Sequence, residues 1–253
     1  MSKDLATKQA GAVSTDLAEW GNDVHVGKDL LISKVLTMQA MSELVVESDA
    51  KMGEFRDSIT KELLGDITKP VAFVPFHCIK KWDISESENG TDFKWVKSVP
   101  VVEDPTHPDY NDNWEWTVQE ANKTIKRVRR LDFFCLIASQ IGNGGLPVTI
   151  SFRSTSYKAG QILFNQMYVR NKMVKKSPAG IVMNLGGIKD KNEKGTFVVT
   201  QAVPLRDATS AEQNEALTWY KLIKTSTVVV DESDNTKGTS PTPNVEEASA
   251  GRF

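Results

Sequence analysis

The fold is decided by residues 121–177, which read ANKTIKRVRRLDFFCLIASQIGNGGLPVTISFRSTSYKAGQILFNQMYVRNKMVKKS. This segment contains eleven lysines and arginines and a single acid, Asp132, so its charge is +10. The whole chain of 253 residues has a net charge of −2, and the remainder must therefore carry −12. A near-neutral protein with such an uneven charge distribution usually presents a cationic surface, and the commonest partner of that surface is a polyanion.

The same segment predicts a strand, a turn, a second strand and a helix. Residues 124–139 are rich in β-branched and aromatic side chains and become fully apolar toward their end, as in a strand that enters a core. GNGG at 142–145 predicts a turn, and LPVTISF at 146–152 predicts the neighbouring strand. Residues 157–173 have helical spacing, and the preceding hydroxyls of Ser154, Thr155 and Ser156 are candidate N-caps.

On the N-terminal side the pattern is mostly that of short strands. Residues 29–47 fit a helix in part and a strand in part, so both alternatives stay open. Residues 53–66 predict a strand or turn pair that closes a small barrel, and 71–99 predict a β-hairpin whose first strand contains Pro75 at an edge or bulge. Residues 103–116 form a long acidic loop that ends in two tryptophans, and loops of this length are more often functional or flexible than structural.

On the C-terminal side we expect two strands at 180–190 and 195–205, then a helix over 207–226 that begins with a capping box of Ser210 and Gln213. A short strand follows at 228–232. The polar residues 231–253 carry five acids and two basic residues and lack the apolar area needed to offset ordering entropy. The predicted organisation is a flexible arm (1–28), a single nucleic-acid-binding domain (29–230) and a disordered acidic tail (231–253).

These elements predict an α+β, mainly β fold, with a small Greek-key barrel or sheet, two flanking helices and disordered termini. No metal is expected, because Cys78 and Cys135 lie 57 positions apart and the three histidines form no ligand series. Both cysteines are expected to be reduced, buried thiols. GNGG lacks the Gly-Lys-Ser/Thr ending of a phosphate loop, and no nucleophile, triad or paired carboxylate indicates catalysis. We therefore expect no enzyme activity, no cofactor and no membrane span.

Basic and aromatic residues together favour a single-stranded nucleic acid as the polyanion, because bases stack on aromatic rings while cations neutralise phosphates. Tryptophans beside lysines are the better stacking candidates, since that mixture suits a hydrated strand face. Near the helix start, phosphate binding and simple capping remain equal alternatives for the hydroxyls. The candidate binding residues are Lys80, Trp82, Trp95, Trp114, Lys126, Arg127, Arg129, Arg130, Arg153 and Lys158.

The chain resembles the single-stranded-DNA-binding proteins that tailed bacteriophages encode in their replication modules. The resemblance covers 29–205 and lies in LLISKVLTMQAMSELV, GEFRDSITKELLG, VPFHCIKKW, FFCLIASQ and LPVTISFRSTSYKAGQIL. It implies an oligonucleotide/oligosaccharide-binding (OB) barrel and an acidic tail that recruits replication or recombination proteins or competes with DNA. The reduced cysteines and an N-terminus without signal-peptide character predict a location in the host-cell cytoplasm. Arg252 and the few acids near the end depart from the dense acidic tip of such tails.

The function expected from the sequence is sequence-independent, non-catalytic binding of single-stranded DNA during phage replication or recombination. Two alternatives remain: a structural or virion-assembly protein whose basic segment contacts an acidic partner or packaged genome, and a recombination protein that anneals strands. An oligomer is compatible with each of them.

Overall fold

A computed structural model describes residues 30–173, 175, 177–193, 195–225 and 228–230. The predicted flexible arm, 1–28, and the predicted acidic tail, 231–253, lie outside the described residues. The described chain contains eleven strands and three α-helices. The strands are β1 (Leu30–Thr37), β2 (Glu54–Asp57), β3 (Leu63–Asp66), β4 (Val71–Ser87), β5 (Lys94–Pro100), β6 (Glu115–Glu120), β7 (Lys123–Ile137), β8 (Val148–Arg153), β9 (Ile181–Asn192), β10 (Gly195–Asp207) and β11 (Val228–Val230), and the helices are α1 (Glu43–Glu47), α2 (Tyr157–Lys172) and α3 (Ser210–Thr225).

The strands form one mixed sheet with the hydrogen-bonded order β10-β9-β4-β7-β8-β1-β2-β3. Strand β5 is attached to β4, β6 to β7, and β11 to β1; β1 runs parallel to β8 and β11. The mainly β class is confirmed, as are the hairpin at 71–99, which is β4–β5, and the strand pair at 180–205, which is β9–β10. The segment left open between helix and strand contains both, β1 followed by α1.

Strand β7 is the centre of the core because it is buried on both faces. Phe133 belongs to one hydrophobic cluster and its neighbour Phe134 to another, and each ring is at most 1% exposed. Helix α2 covers the first cluster with Leu163, and helix α3 covers the second with Ala216. Each buried phenylalanine contributes about 1.5–3 kcal/mol through apolar area removed from water, so the apolar half of β7 fixes the position of its basic half.

The backbone hydrogen-bonded ladders leave the sheet open, with β10 and β3 as the end strands. Side-chain hydrogen bonds nevertheless hold β10 against the end of β1. The Gln39 amide donates to the Val198 carbonyl oxygen at 3.0 Å, and the Val198 N–H donates to Gln39 Oε1 at 2.8 Å. The Thr37 and Thr200 hydroxyls lie 3.0 Å apart, and the Thr200 N–H donates to Ser156 Oγ at 2.9 Å. The sheet is therefore curled, and an OB-like barrel remains a prediction.

The start of α3 corrects one expectation from the sequence. The capping box is formed by Thr209 and Glu212 and not by Ser210 and Gln213: the Thr209 N–H donates to Glu212 Oε2 at 2.7 Å, and the Glu212 N–H donates to Thr209 Oγ1 at 3.3 Å. Thr209 and Ser210 are each followed three residues later by a side chain that can complete a capping box, Glu212 and Gln213 respectively. The ion pair between Arg206 and Glu212, at 2.6 Å, favours the box that begins at Thr209. The Arg206 hydrogen bond lowers the pKa of Glu212 to about 2.

Cys78 and Cys135 are free thiols; Cys135 is buried, as predicted, whereas Cys78 is only partly buried. Desolvation raises the pKa of each thiol well above its ordinary value. Within the described residues, no three histidine, cysteine, aspartate or glutamate side chains come together as metal ligands. None of the described helices is long and apolar enough to span a membrane.

Candidate nucleic-acid interface

Strand alternation divides the basic run of β7 between the two faces of the sheet. Arg127 and Arg129 lie on one face, where Arg129 is directly opposite Trp82 of β4. Lys126 and Arg130 lie on the other face. The four residues of this run that the sequence predicts to bind phosphate are therefore divided into two pairs on opposite faces. No single face of the sheet contains all four.

The first face, here named the Arg–Trp face, comprises Trp82, Trp114, Trp116, Arg127 and Arg129. The guanidinium carbon of Arg127 lies 4.7 Å from the ring centroid of Trp116, and that of Arg129 lies 5.1 Å from the ring centroid of Trp82. The two rings meet edge to face with centroids 6.5 Å apart. Stacking of a guanidinium on an indole contributes about 0.5–2 kcal/mol, depending on how far the pair is desolvated, so these contacts fix the orientation of both arginines.

The tryptophans of the Arg–Trp face differ in exposure. Trp82 is 3% exposed because it packs with Val99, Val101 and Trp116 in a small core of its own, so its ring is not open to a base. Trp114 is 38% exposed, and its carbonyl oxygen accepts a hydrogen bond from the Arg129 N–H at 2.8 Å. Of the two rings predicted here from the sequence, Trp114 is the accessible one. The expectation that Trp82 lies on a hydrated face is wrong, because β5 and the chain after it cover the ring.

The Arg–Trp face also contains donors that lack acceptors. Among the described residues, neither Arg127 nor Arg129 forms an ion pair with a carboxylate, and Arg129 donates instead to the carbonyl oxygen of Asn111. The Nε atoms of both arginines and Nε1 of Trp116 are buried without a hydrogen-bond partner in this part of the chain. A buried donor without a partner costs about 1–3 kcal/mol, so these groups lower stability as they stand, and an acceptor would reach them only after neighbouring side chains moved.

The opposite face contains a buried charge network. Arg130 is 1% exposed and lies 2.9 Å from carboxylate oxygens of both Asp83 and Asp132, while Lys81 lies 3.1 Å from Asp132. Burial alone would raise the pKa of Asp132, but Arg130 and Lys81 outweigh burial and the pKa is lowered. Arg130 is thus enclosed between carboxylates, and the structure does not place this candidate residue at the surface.

Two candidate lysines are paired with acids near the ends of the acidic loop. Lys80 lies 2.5 Å from Glu103, and Lys126 lies 2.7 Å from Glu115. Lys80 also stands over the ring of Phe164, with Nζ 4.6 Å from its centroid. Both ammonium groups are therefore already paired, and a phosphate group would compete with these carboxylates for them.

The remaining candidates are not among the residues that form the Arg–Trp face. Trp95 is opposite Ser85, on the face that contains Lys126, and is half-buried. Arg153 lies opposite Arg130 at the end of β8, 3.9 Å from Asp83, and Lys158 is exposed in the first turn of α2.

The hydroxyls that precede α2 do not cap it. Ser156 occupies the N-cap position but makes no capping hydrogen bond with its side chain, because its Oγ accepts the Thr200 N–H. Residues 154–156 form a 3₁₀ turn in which Ser154 has a φ of +47°. The sequence expectation of hydroxyl capping at this site is therefore wrong, and phosphate binding there stays a prediction.

Trp116 and Asn111 are the residues of this site that the sequence reasoning missed. A signal for Trp116 exists, because the spacings Trp-x-Trp at 114–116 and Arg-x-Arg at 127–129 each place two side chains on one face of a strand. Asn111 contributes a backbone carbonyl from the acidic loop, which no side-chain pattern indicates.

The fold and this site define a mainly β protein with a curled mixed sheet and an arginine–tryptophan surface at one end. The chain belongs to the Pam3 phage gp34-like protein family, whose model matches residues 7–229. Family membership supports the phage origin expected from the sequence. No curated protein and no solved structure matches the chain.

Proposed function

We propose that this phage protein is a non-catalytic, largely sequence-independent binder of single-stranded DNA that acts in replication or recombination. The observation that supports the proposal is the Arg–Trp face, where two arginines without carboxylate partners among the described residues lie beside three tryptophans. Guanidinium groups suit phosphate because they are planar, permanently charged and weakly hydrated. Aromatic faces accept any base, and this explains binding without sequence preference.

In the proposed complex, Arg127 and Arg129 contact successive phosphates and Trp114 stacks on a base. Each stacked base contributes roughly 1–3 kcal/mol. One N–H of Arg129 is donated to the Asn111 carbonyl oxygen, and the other terminal N–H groups of the guanidinium would contact the phosphate. The curled sheet is proposed to serve as an OB-like barrel, since Gln39 holds β10 beside β1 where a ladder would close it.

The test is a titration of oligo-dT monitored by tryptophan fluorescence at several salt concentrations. The wild-type protein should bind with quenching and with an affinity that falls steeply as salt rises. Replacing both arginines, Arg127→Ala and Arg129→Ala, should reduce the salt slope by about 1.4, because each phosphate contact on a single strand contributes roughly 0.7. The matched control is Lys189→Ala with Lys191→Ala, which removes the same charge from exposed positions of β9.

The control pair should leave the salt slope within experimental error of the wild-type slope. Absence of binding at low salt, or an equal slope for the two double variants, contradicts the proposal. Rings or tubes without affinity for oligo-dT would favour the virion-assembly alternative. Annealing of complementary strands faster than their spontaneous rate would favour the recombination alternative, since coating alone does not accelerate pairing.

A further inference from the structure

The acidic loop joins β5 to β6 and has to cross two strands to do so. Strand β5 lies beside β4, β6 lies beside β7, and β4 pairs with β7, so the four strands have the order β5-β4-β7-β6. Two backbone hydrogen bonds fix the ends of the connection. The Val101 N–H donates to the Lys80 carbonyl oxygen at 3.0 Å, and the Arg129 N–H donates to the Trp114 carbonyl oxygen at 2.8 Å. The loop between them therefore passes from the β5 side of this group to the β6 side.

Side-chain contacts show which face of the sheet the loop covers. Lys80 and Trp82 of β4 are two residues apart and project to the same face. Lys80 lies 2.5 Å from Glu103, at the start of the loop. Farther along the loop, the Asn111 carbonyl oxygen accepts a hydrogen bond from the Arg129 guanidinium, which lies on that face too. The acidic loop therefore crosses the sheet on the side of the Arg–Trp face.

The acidic loop brings a concentrated negative charge to this face. It contains five acids and no lysine or arginine, so its charge is −5. The hydrogen bonds from Thr106 to Asp104 lower the pKa of that carboxyl, which is therefore ionised at neutral pH. The hydrogen bond to Asp112 raises the pKa of Tyr110, whereas the charge of Arg129 acts in the opposite direction. This part of the loop is thus within electrostatic reach of the Arg129 guanidinium.

We propose that the acidic loop competes with nucleic-acid phosphates for the Arg–Trp face and thereby sets the affinity of that face for polyanions. Its carboxylates repel a second anion, and Glu103 and the Asn111 carbonyl oxygen already contact Lys80 and Arg129. Because the loop belongs to the same chain, it is present at the face at every protein concentration. The inference rests on the proposed function, since it takes a nucleic acid as the ligand of the face.

The test compares two double substitutions that each remove two negative charges. Glu103→Gln with Asp112→Asn neutralises part of the acidic loop, and the matched control, Glu47→Gln with Asp49→Asn, neutralises exposed acids in and after α1. The salt concentration is about 0.1 M, at which exposed charges interact over about 10 Å. The loop variant should bind oligo-dT at least about fivefold more tightly than the wild type. The control should stay within about twofold of the wild type.

A second probe separates competition by the loop from the proposed function. Heparin is a dense polyanion without bases, so its retention reports the charge of the face and not base stacking. On heparin-agarose the loop variant should elute at a higher salt concentration than both the wild type and the control. If this order is found while none of the proteins binds oligo-dT, competition is upheld and single-stranded DNA binding is rejected. If the loop variant and the control behave alike on both probes, the proposal is overturned.

Removing the cations tests where the competition takes place. In a protein with Lys80→Ala and Arg129→Ala, the two loop substitutions should raise the affinity for either probe by less than about twofold, because residues in contact are not additive. A gain as large as in the wild-type background would show that the acids act through the net charge of the protein, and it overturns the proposal. Circular dichroism confirms that each variant is folded.

Discussion

Replacement of Gln39 by alanine tests whether side chains hold the curled sheet together. The Gln39 amide forms two hydrogen bonds with the backbone of Val198, at 2.8 and 3.0 Å, and Val198 is 3% exposed. A net hydrogen bond contributes about 0.5–1.5 kcal/mol, so Gln39→Ala should lower the free energy of unfolding by about 1–3 kcal/mol. Urea denaturation followed by circular dichroism measures the change.

Glutamate at the same position separates the two hydrogen bonds. A carboxylate still accepts the Val198 N–H but repels the Val198 carbonyl oxygen, so Gln39→Glu should be at least as destabilising as alanine at pH 7. Part of the loss should return below about pH 4.3, where a glutamate becomes protonated and can donate. Gln201→Ala, a half-buried glutamine on β10, is the control and should change stability by less than about 0.5 kcal/mol. A Gln39→Ala protein as stable as this control refutes the reasoning.

Two further predictions concern buried charge. Arg130→Met should lower the free energy of unfolding, measured by urea denaturation, by about 3–5 kcal/mol, because it leaves the Asp83 and Asp132 carboxylates without their shared guanidinium. The exposed control Lys158→Met should change the free energy of unfolding by less than about 0.5 kcal/mol. Equal effects of the two substitutions would contradict a stabilising role for the buried charge network. The pKa of Glu212 is lowered from 4.5 to about 2, so its contribution is complete above pH 4.5 and is lost as pH falls toward 2. Glu212→Gln should therefore lose less stability than wild type between pH 4.5 and 2, and parallel losses would show that Glu212 makes no such contribution.

Most strands were predictable because their residues are locally typical of strands. The apolar half of β7 and the Gly-rich turn after it define β7 and β8 without reference to the rest of the chain. The attachment of β10 to β1 was not predictable, since Gln39 and Val198 are 159 positions apart and no local pattern links them. The position of the capping box was also not predictable from the sequence. Thr209 and Ser210 satisfy the same sequence pattern, and the box forms at Thr209 because Arg206 pairs with Glu212, a contact that composition does not reveal.

The candidate site was predictable in its charge but only partly in its geometry. Once β7 is predicted as a strand, its period of two already separates Arg127 and Arg129 from Lys126 and Arg130. The burial of Trp82 could not be predicted from its neighbours in the sequence. Adjacent lysines indicate that the opposite face of the strand is polar, but they do not show which residues cover the Trp82 ring. The contribution of Val99 and Val101, which come from another strand and the chain after it, becomes visible only in the fold.

Strand β4 limits what the Arg–Trp face can offer to a ligand. Residues 82–86 of β4 have partners on both sides, β5 and β7, so their backbone groups are already paired and only their side chains can contribute to the Arg–Trp face. Side-chain replacements are therefore the appropriate test of this face.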